Sequence, residues 1–145
     1  MGNDMAAKIK NMKDLKTHIN AACGQAVENA ANRILGSLQR IIDEEFYDVF
    51  EPDFYHRSYQ FFRSAAIKML TQNSAQVFMD KDAMNYGSFW TGERQLREAS
   101  AGSHGGWTTN ETKEHRFWET FISFCQANAM NILKEELRKQ HINTN

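Results

Sequence analysis

Proline occurs once in the 145 residues, at Pro52, and upstream of it the chain carries one long helical pattern. Apolar residues recur in steps of three and four: Leu15, Ile19, Ala22/Cys23, Ala26, Ala30, Ile34, Leu38, Ile41/Ile42, Phe46 and Val49. That period places them on one helix face. Lys16, Asn20, Gln25, Asn32, Gln39 and Asp43 fall on the opposite face. The helix is expected over 14–50, because a proline disfavours the α conformation in the residue before it. At 1.5 Å per residue it spans ~55 Å, against a diameter of roughly 40 Å for a compact domain of this size. Either the rod breaks near Gly24 or Gly36, or one end projects and packs on another molecule. Its first half is rich in small residues (Ala21, Ala22, Gly24, Ala26, Ala30, Ala31), a thin seam for a solitary core.

Beyond Pro52 the pattern changes. Phe54 to Leu70 reads as a short extended entry and then a helix from about Ser58, with Tyr59, Phe62, Ala66 and Met69/Leu70 at helical spacing. Ala75 to Asp80 alternates and reads as a strand, with Val77 and Met79 on one face and no evident partner. Glycines and serines then break the pattern from Lys81 to Asn110, which reads as a long loop bracketed by Trp90 and Trp107. Thr108-Thr109-Asn110-Glu111 supplies capping residues for a last helix over 111–139. Phe117, Phe121, Phe124/Cys125, Ile132/Leu133 and Leu137 form its stripe, with Trp118 beside it. The chain is thus expected to be one domain over 1–145: residues 1–13 flexible, 14–50 the long helix, 54–110 a sheet and loop region, 111–139 the closing helix.

Composition narrows the function classes. Lys plus Arg is 17 and Asp plus Glu is 18, for a net charge of −1. A dedicated nucleic-acid binder would carry a basic excess. No stretch approaches the ~20 apolar residues of a membrane span, and the polar, basic start has no apolar signal region. Cys23 and Cys125 read as reduced, half-buried thiols of a cytoplasmic product.

Motifs for chemistry are sparse. His18, His56, His104, His115 and His141 share no metal-ligand spacing, and neither His-Glu-x-x-His nor Cys-x-x-Cys occurs. His115 and Glu119 lie one turn apart, and His104 sits in a glycine-rich stretch; each reads more simply as solvated. Asp43, Glu44 and Glu45 cluster, as do Asp80 and Asp82, and such carboxylates could serve acid–base or divalent-metal work. Nucleophile-elbow and phosphate-cradle motifs are missing. Tyr55 to Arg63 interleaves aromatic and basic residues, a pattern that also suits core aromatics with flanking surface arginines.

Tyr55-x-Arg57-Ser58-x-x-Phe61-Phe62-x-Ser64 resembles the Tyr-x-Arg-Thr-x-x-Leu-x-x-Ser pattern of small neck or tail-completion proteins at the head–tail junction of tailed bacteriophages. In that family a long helix precedes the motif. A strand ending in an acidic residue and a nearby Tyr follow, matched here by Val77, Met79, Asp80 and Tyr86. A glycine-rich loop comes next, then an aromatic helix, matched by Phe117-Trp118-x-x-Phe121 and Ile132-Leu133-Lys134-x-x-Leu137. Ser58 stands where Thr is usual, Phe61 and Phe62 where Leu is, and His141 where Gly is. The resemblance implies an α+β fold with a long N-terminal helix, a small antiparallel sheet and a long C-terminal helix. It implies no catalysis, no cofactor and no metal.

Members of that family act as copies in a ring. The chain is therefore expected to be a structural virion protein, present in the host cytoplasm before assembly. It would form a homo-oligomeric ring and contact neighbouring neck or tail proteins. It would bind neither membrane nor specific nucleic acid, although DNA could pass through the ring. Ala22, Ala26 and Ala30, with Trp90 and Trp107, are the expected subunit contacts. The rival readings are a helical adaptor for a host or phage partner, and a small metal-dependent hydrolase using His104, His115, Asp80 and Asp82.

Overall fold

The computed structural model describes residues 9–49, 58–85, 87–89, 91–100 and 116–145. Helix α1 runs Met12–Ile42. Asn11 caps it, its side chain accepting from the Asp14 amide at 2.9 Å, while the Asp14 carboxylate accepts from the Lys10 amide at 3.2 Å. This reciprocal cap starts the helix two residues before the expected Asp14. The rod does not break at either glycine. It continues as a π-helical turn, Asp43–Tyr47, closed by the Asp48 amide donating to the Asp43 carbonyl at 2.8 Å. The expected end at Phe50 lies outside the described residues.

One turn of helix, α2 (Gln60–Arg63), leads into strand β1 (Ala65–Thr71), which pairs antiparallel with β2 (Ser74–Met79). The expectation of a helix through Leu70 is corrected here. Ala65, Ile67 and Met69 alternate, and they stand opposite Met79, Val77 and Ala75. Pairing through the tight Gln72-Asn73 turn outweighs the weak helical preference of an Ala-rich segment. The small antiparallel sheet expected from the resemblance is this two-stranded hairpin.

The expected loop from Lys81 to Asn110 is corrected in its first part. It contains a 3₁₀ turn, Asp82–Met84, and helix α3, Gly92–Ser100. Thr91 caps α3 through the Arg94 amide, and Leu96 and Ala99 turn towards the core. Gly92 allows α3 to approach so closely that a Cβ there would fall on the Lys81 carbonyl. Residues 101–115 lie outside the described residues.

Helix α4 spans Phe117–Lys139. Glu136, near its end, meets Arg33 in the middle of α1, while Phe117, at its start, joins the cluster at the C-terminal end of α1. The two helices are therefore antiparallel. The core gathers Leu38, Ile41, Ile42, Phe46 and Tyr47 from α1 and its π turn. Phe61, Ala65, Met79, Met84 and Ala99 join it from the middle segment, and Phe117 and Phe121 from α4. Among the described residues no helix is long and apolar enough to cross a membrane.

Candidate functional site

The described part of the Tyr55-to-Ser64 motif forms a junction between helix and sheet. Phe61 is buried in the core and Ser58 is exposed. Ser64 is fully buried, and its hydroxyl donates to the Phe61 carbonyl at 2.6 Å. Its own carbonyl accepts from the Asp80 amide at 2.7 Å, which ties the start of β1 to the exit of β2. The Asp80 carboxylate then accepts from the amides of Asp82 (3.0 Å) and Ala83 (3.4 Å) and so caps the 3₁₀ turn. Ser64 and Asp80 thus hold the chain where it enters and leaves the hairpin. Tyr55, Arg57 and Tyr86 of the same motif lie outside the described residues.

An aromatic chain joins this junction to both long helices. Tyr59 packs on Tyr47 at 4.9 Å between ring centroids, and Tyr47 on Phe46 at 5.1 Å, edge to face. Phe46 meets Phe61 at 4.7 Å, and Phe61 meets Phe117 at 5.2 Å. Phe117 then contacts Trp118 at 6.5 Å, and Trp118 contacts Phe121 at 5.4 Å. The π turn carries two adjacent rings of this chain of contacts. Phe46 and Tyr47, neighbours in that turn, are both buried, as are Ile41 and Ile42 at the end of α1. The Tyr47 hydroxyl accepts from the Phe62 amide at 3.3 Å. Tyr59 adopts a left-handed φ of 54° to begin α2.

The seam expected to face a neighbouring subunit is largely occupied by the chain itself. Ala26 is 0% and Ala30 4% exposed, and Ala22 is half-buried. At Gly24 a Cβ would lie 2.7 Å from the carbonyl oxygen of Gln72, at the tip of the β1–β2 turn. The close approach at Gly24 is thus made by the protein's own hairpin, and Ala26 and Ala30 are buried within the single chain. Trp90 and Trp107 lie outside the described residues. The sequence pattern missed the apolar surface that does stay open: Met12 and Ile19 on α1, Val49 after the π turn, and Trp118, Ile122 and Met130 on α4. Periodicity cannot separate such residues from core, because it records a face and not what covers it.

The electrostatics are structural in character. Glu136 is buried, and Lys139 (2.7 Å) and Arg33 (2.8 Å) both donate to its Oε1. These bonds, Lys139 first and Arg33 second, hold its carboxyl below the usual carboxylate range. Arg33 also reaches Glu135 at 2.8 Å. Its pKa is raised chiefly by the bond to Glu135, then by that to Glu136. Asp43 is shifted upward, first by burial and then by the nearby charges of Asp48 and Glu44. Burial likewise raises the Cys125 thiol. Among the described residues no three of His, Cys, Asp and Glu come together as a metal could require. His104 and His115 lie outside them.

The sequence profile of the YomN family matches residues 11–141. No curated protein and no solved structure matches the chain. The matched span covers nearly the whole sequence, and the chain belongs to the YomN family, which is phage-derived.

Proposed function

We propose that this member of the phage-derived YomN family is a structural protein of the virion, a neck or tail-completion component that works by assembling with copies of itself and with adjoining virion proteins. The observation that carries the reading is the first part of α1. Gly24 is the first fully buried residue of that helix, and over Met12–Cys23, about 18 Å of rod, Met12 and Ile19 are exposed while Leu15, Ala22 and Cys23 are only half-buried. A helix that outruns its own core suits a component better than a solitary catalyst. The order of elements supports the same reading: long helix, Ser58–Ser64 motif, strand β2 followed by Asp80, aromatic helix. Both Ser64 and Asp80 are used to fix backbone, so these motif residues serve shape.

Mass spectrometry of purified virions tests the proposal. The protein is expected there in several copies. Virions lacking its gene are expected to accumulate filled heads unattached to tails, or tails without a finished upper end. Its absence from purified virions, with normal particles made without it, would end the reading.

A further inference from the structure

We infer that two copies of this chain join head to tail, the α1 arm of one lying on the α4 start and π-turn end of the next. The inference rests on the structural reading above and adds to it the two surfaces. The first is the arm. Met12, Leu15, Ile19, Ala22 and Cys23 follow one another at helical spacing, with Met12 77% and Ile19 46% exposed. Leu15, Ala22 and Cys23 are half-buried, and from Gly24 onwards the same stripe is mostly buried, so it is a packing face whose cover thins towards the N-terminal end. Lys10, Lys13 and Lys16 flank it, against the single acid Asp14.

The second surface lies at the other end of the molecule. Trp118 is 40% and Ile122 41% exposed, one turn apart on α4. Exposed Val49 follows the π turn, which the Phe46–Phe61–Phe117 contacts join to the start of α4. Four acids crowd that turn: Asp43, Glu44, Glu45 and Asp48. Arg40 pairs with Glu44 at 2.9 Å. Burial first, and then the nearby charges of Asp48 and Glu44, disfavour the ionised form of Asp43. An incoming lysine would relieve that repulsion. Both ends thus carry apolar side chains beside a charge, and the charges are opposite.

The two surfaces are different and sit at opposite ends of α1. A contact between them is heterologous, and repetition of one such contact gives a ring where the rotation closes. A self-complementary patch would instead stop at a dimer.

Sedimentation and light scattering across a concentration series test this, with circular dichroism confirming that each variant is folded. The full chain is expected to assemble beyond a dimer, more weakly as salt screens the charges. Ile19→Asp, which spoils only the arm, and Ile122→Asp, which spoils only the α4 face, are each expected to be monomeric. Mixed, they are expected to form a 1:1 heterodimer and nothing larger, because one sound arm meets one sound face. Lys13→Glu with Lys16→Glu is expected to weaken association about tenfold. A wild-type chain that stays monomeric at millimolar concentration overturns the inference, as does a mixture that gives no heterodimer. Assembly in this mode by a protein missing from virions would keep the interface and remove the virion reading. A monomeric protein found in virions would do the reverse.

Discussion

Arg33 Nη1 lies 2.8 Å from Oε1 of Glu136, a residue 103 positions further along the chain, and this contact joins the two antiparallel long helices. Among the described residues Glu136 is the one buried charged residue, and Lys139 completes its partners. Because its folded pKa lies below the usual value of 4.5, its contribution to stability is present above that value. It is lost as pH falls through the depressed folded pKa. Wild-type chain is expected to lose stability to acid below about pH 4.5, and Glu136→Gln to lose less. Asp43 acts in the opposite sense. Its raised pKa means that its favourable contribution exists at low pH and disappears as pH rises, so Asp43→Asn is expected to stabilise the protein at neutral pH. Denaturant melts of the three proteins across pH 3 to about 8 check both signs.

The two glycines of α1 are expected to respond oppositely to alanine. At Gly24 the added methyl would press on the Gln72 backbone carbonyl, so Gly24→Ala is expected to push the hairpin off the helix and destabilise the fold. At Gly36 no atom lies within 4 Å of the Cβ position. Gly36→Ala is therefore expected to raise stability by ~1 kcal/mol through helix propensity alone. Thermal melts of the pair separate a packing role from a mere tolerance of glycine.

The end of α4 offers a third test. The Ile142 amide donates to the Leu137 carbonyl at 3.0 Å, and the His141 amide donates to that of Arg138 at 2.9 Å. This is a Schellman cap, and it places His141 in the left-handed region at φ 62°. The cap therefore forms although His stands where Gly is usual. His141→Gly is expected to stabilise the chain by ~1 kcal/mol. An unchanged melting temperature would show that the strain is absent.

Phe117 is 1% exposed and links Phe61 to the start of α4. Phe117→Ala is expected to cost about 3–5 kcal/mol and to abolish cooperative melting if the domain is near the usual margin of stability. Trp118→Ala, at a half-open site, is expected to cost much less. A comparable loss at both positions would mean that Trp118 is held by the fold rather than free for a partner.

The long helices were legible because their apolar spacing is a local property of the chain. Leu38, Ile42, Phe117 and Phe121 announce their faces in sequence, and those faces are buried. Pro52 and the capping residues Thr108 to Glu111 lie outside the described residues, and α4 is described from Phe117, where Arg116 makes no side-chain cap. The hairpin was only half legible. Val77 and Met79 alternate clearly, but Ala65 to Leu70 also fits a helix, and only pairing with β2 decides between the two. Helix α3 was hidden behind Gly87 and Gly92, although Thr91, Leu96 and Ala99 carried a cap and a short stripe.

The sequence by itself determined that this is a chain of two long amphipathic helices with little catalytic equipment in its motifs, since composition, charge and period are fixed residue by residue. Tertiary structure alone decided what covers each apolar face. Ala26 and Ala30 are buried within the chain, while Ile19, on the same stripe, stays open. That division depends on where α4 and the β1–β2 turn end along the rod, and such distances arise only when remote segments meet.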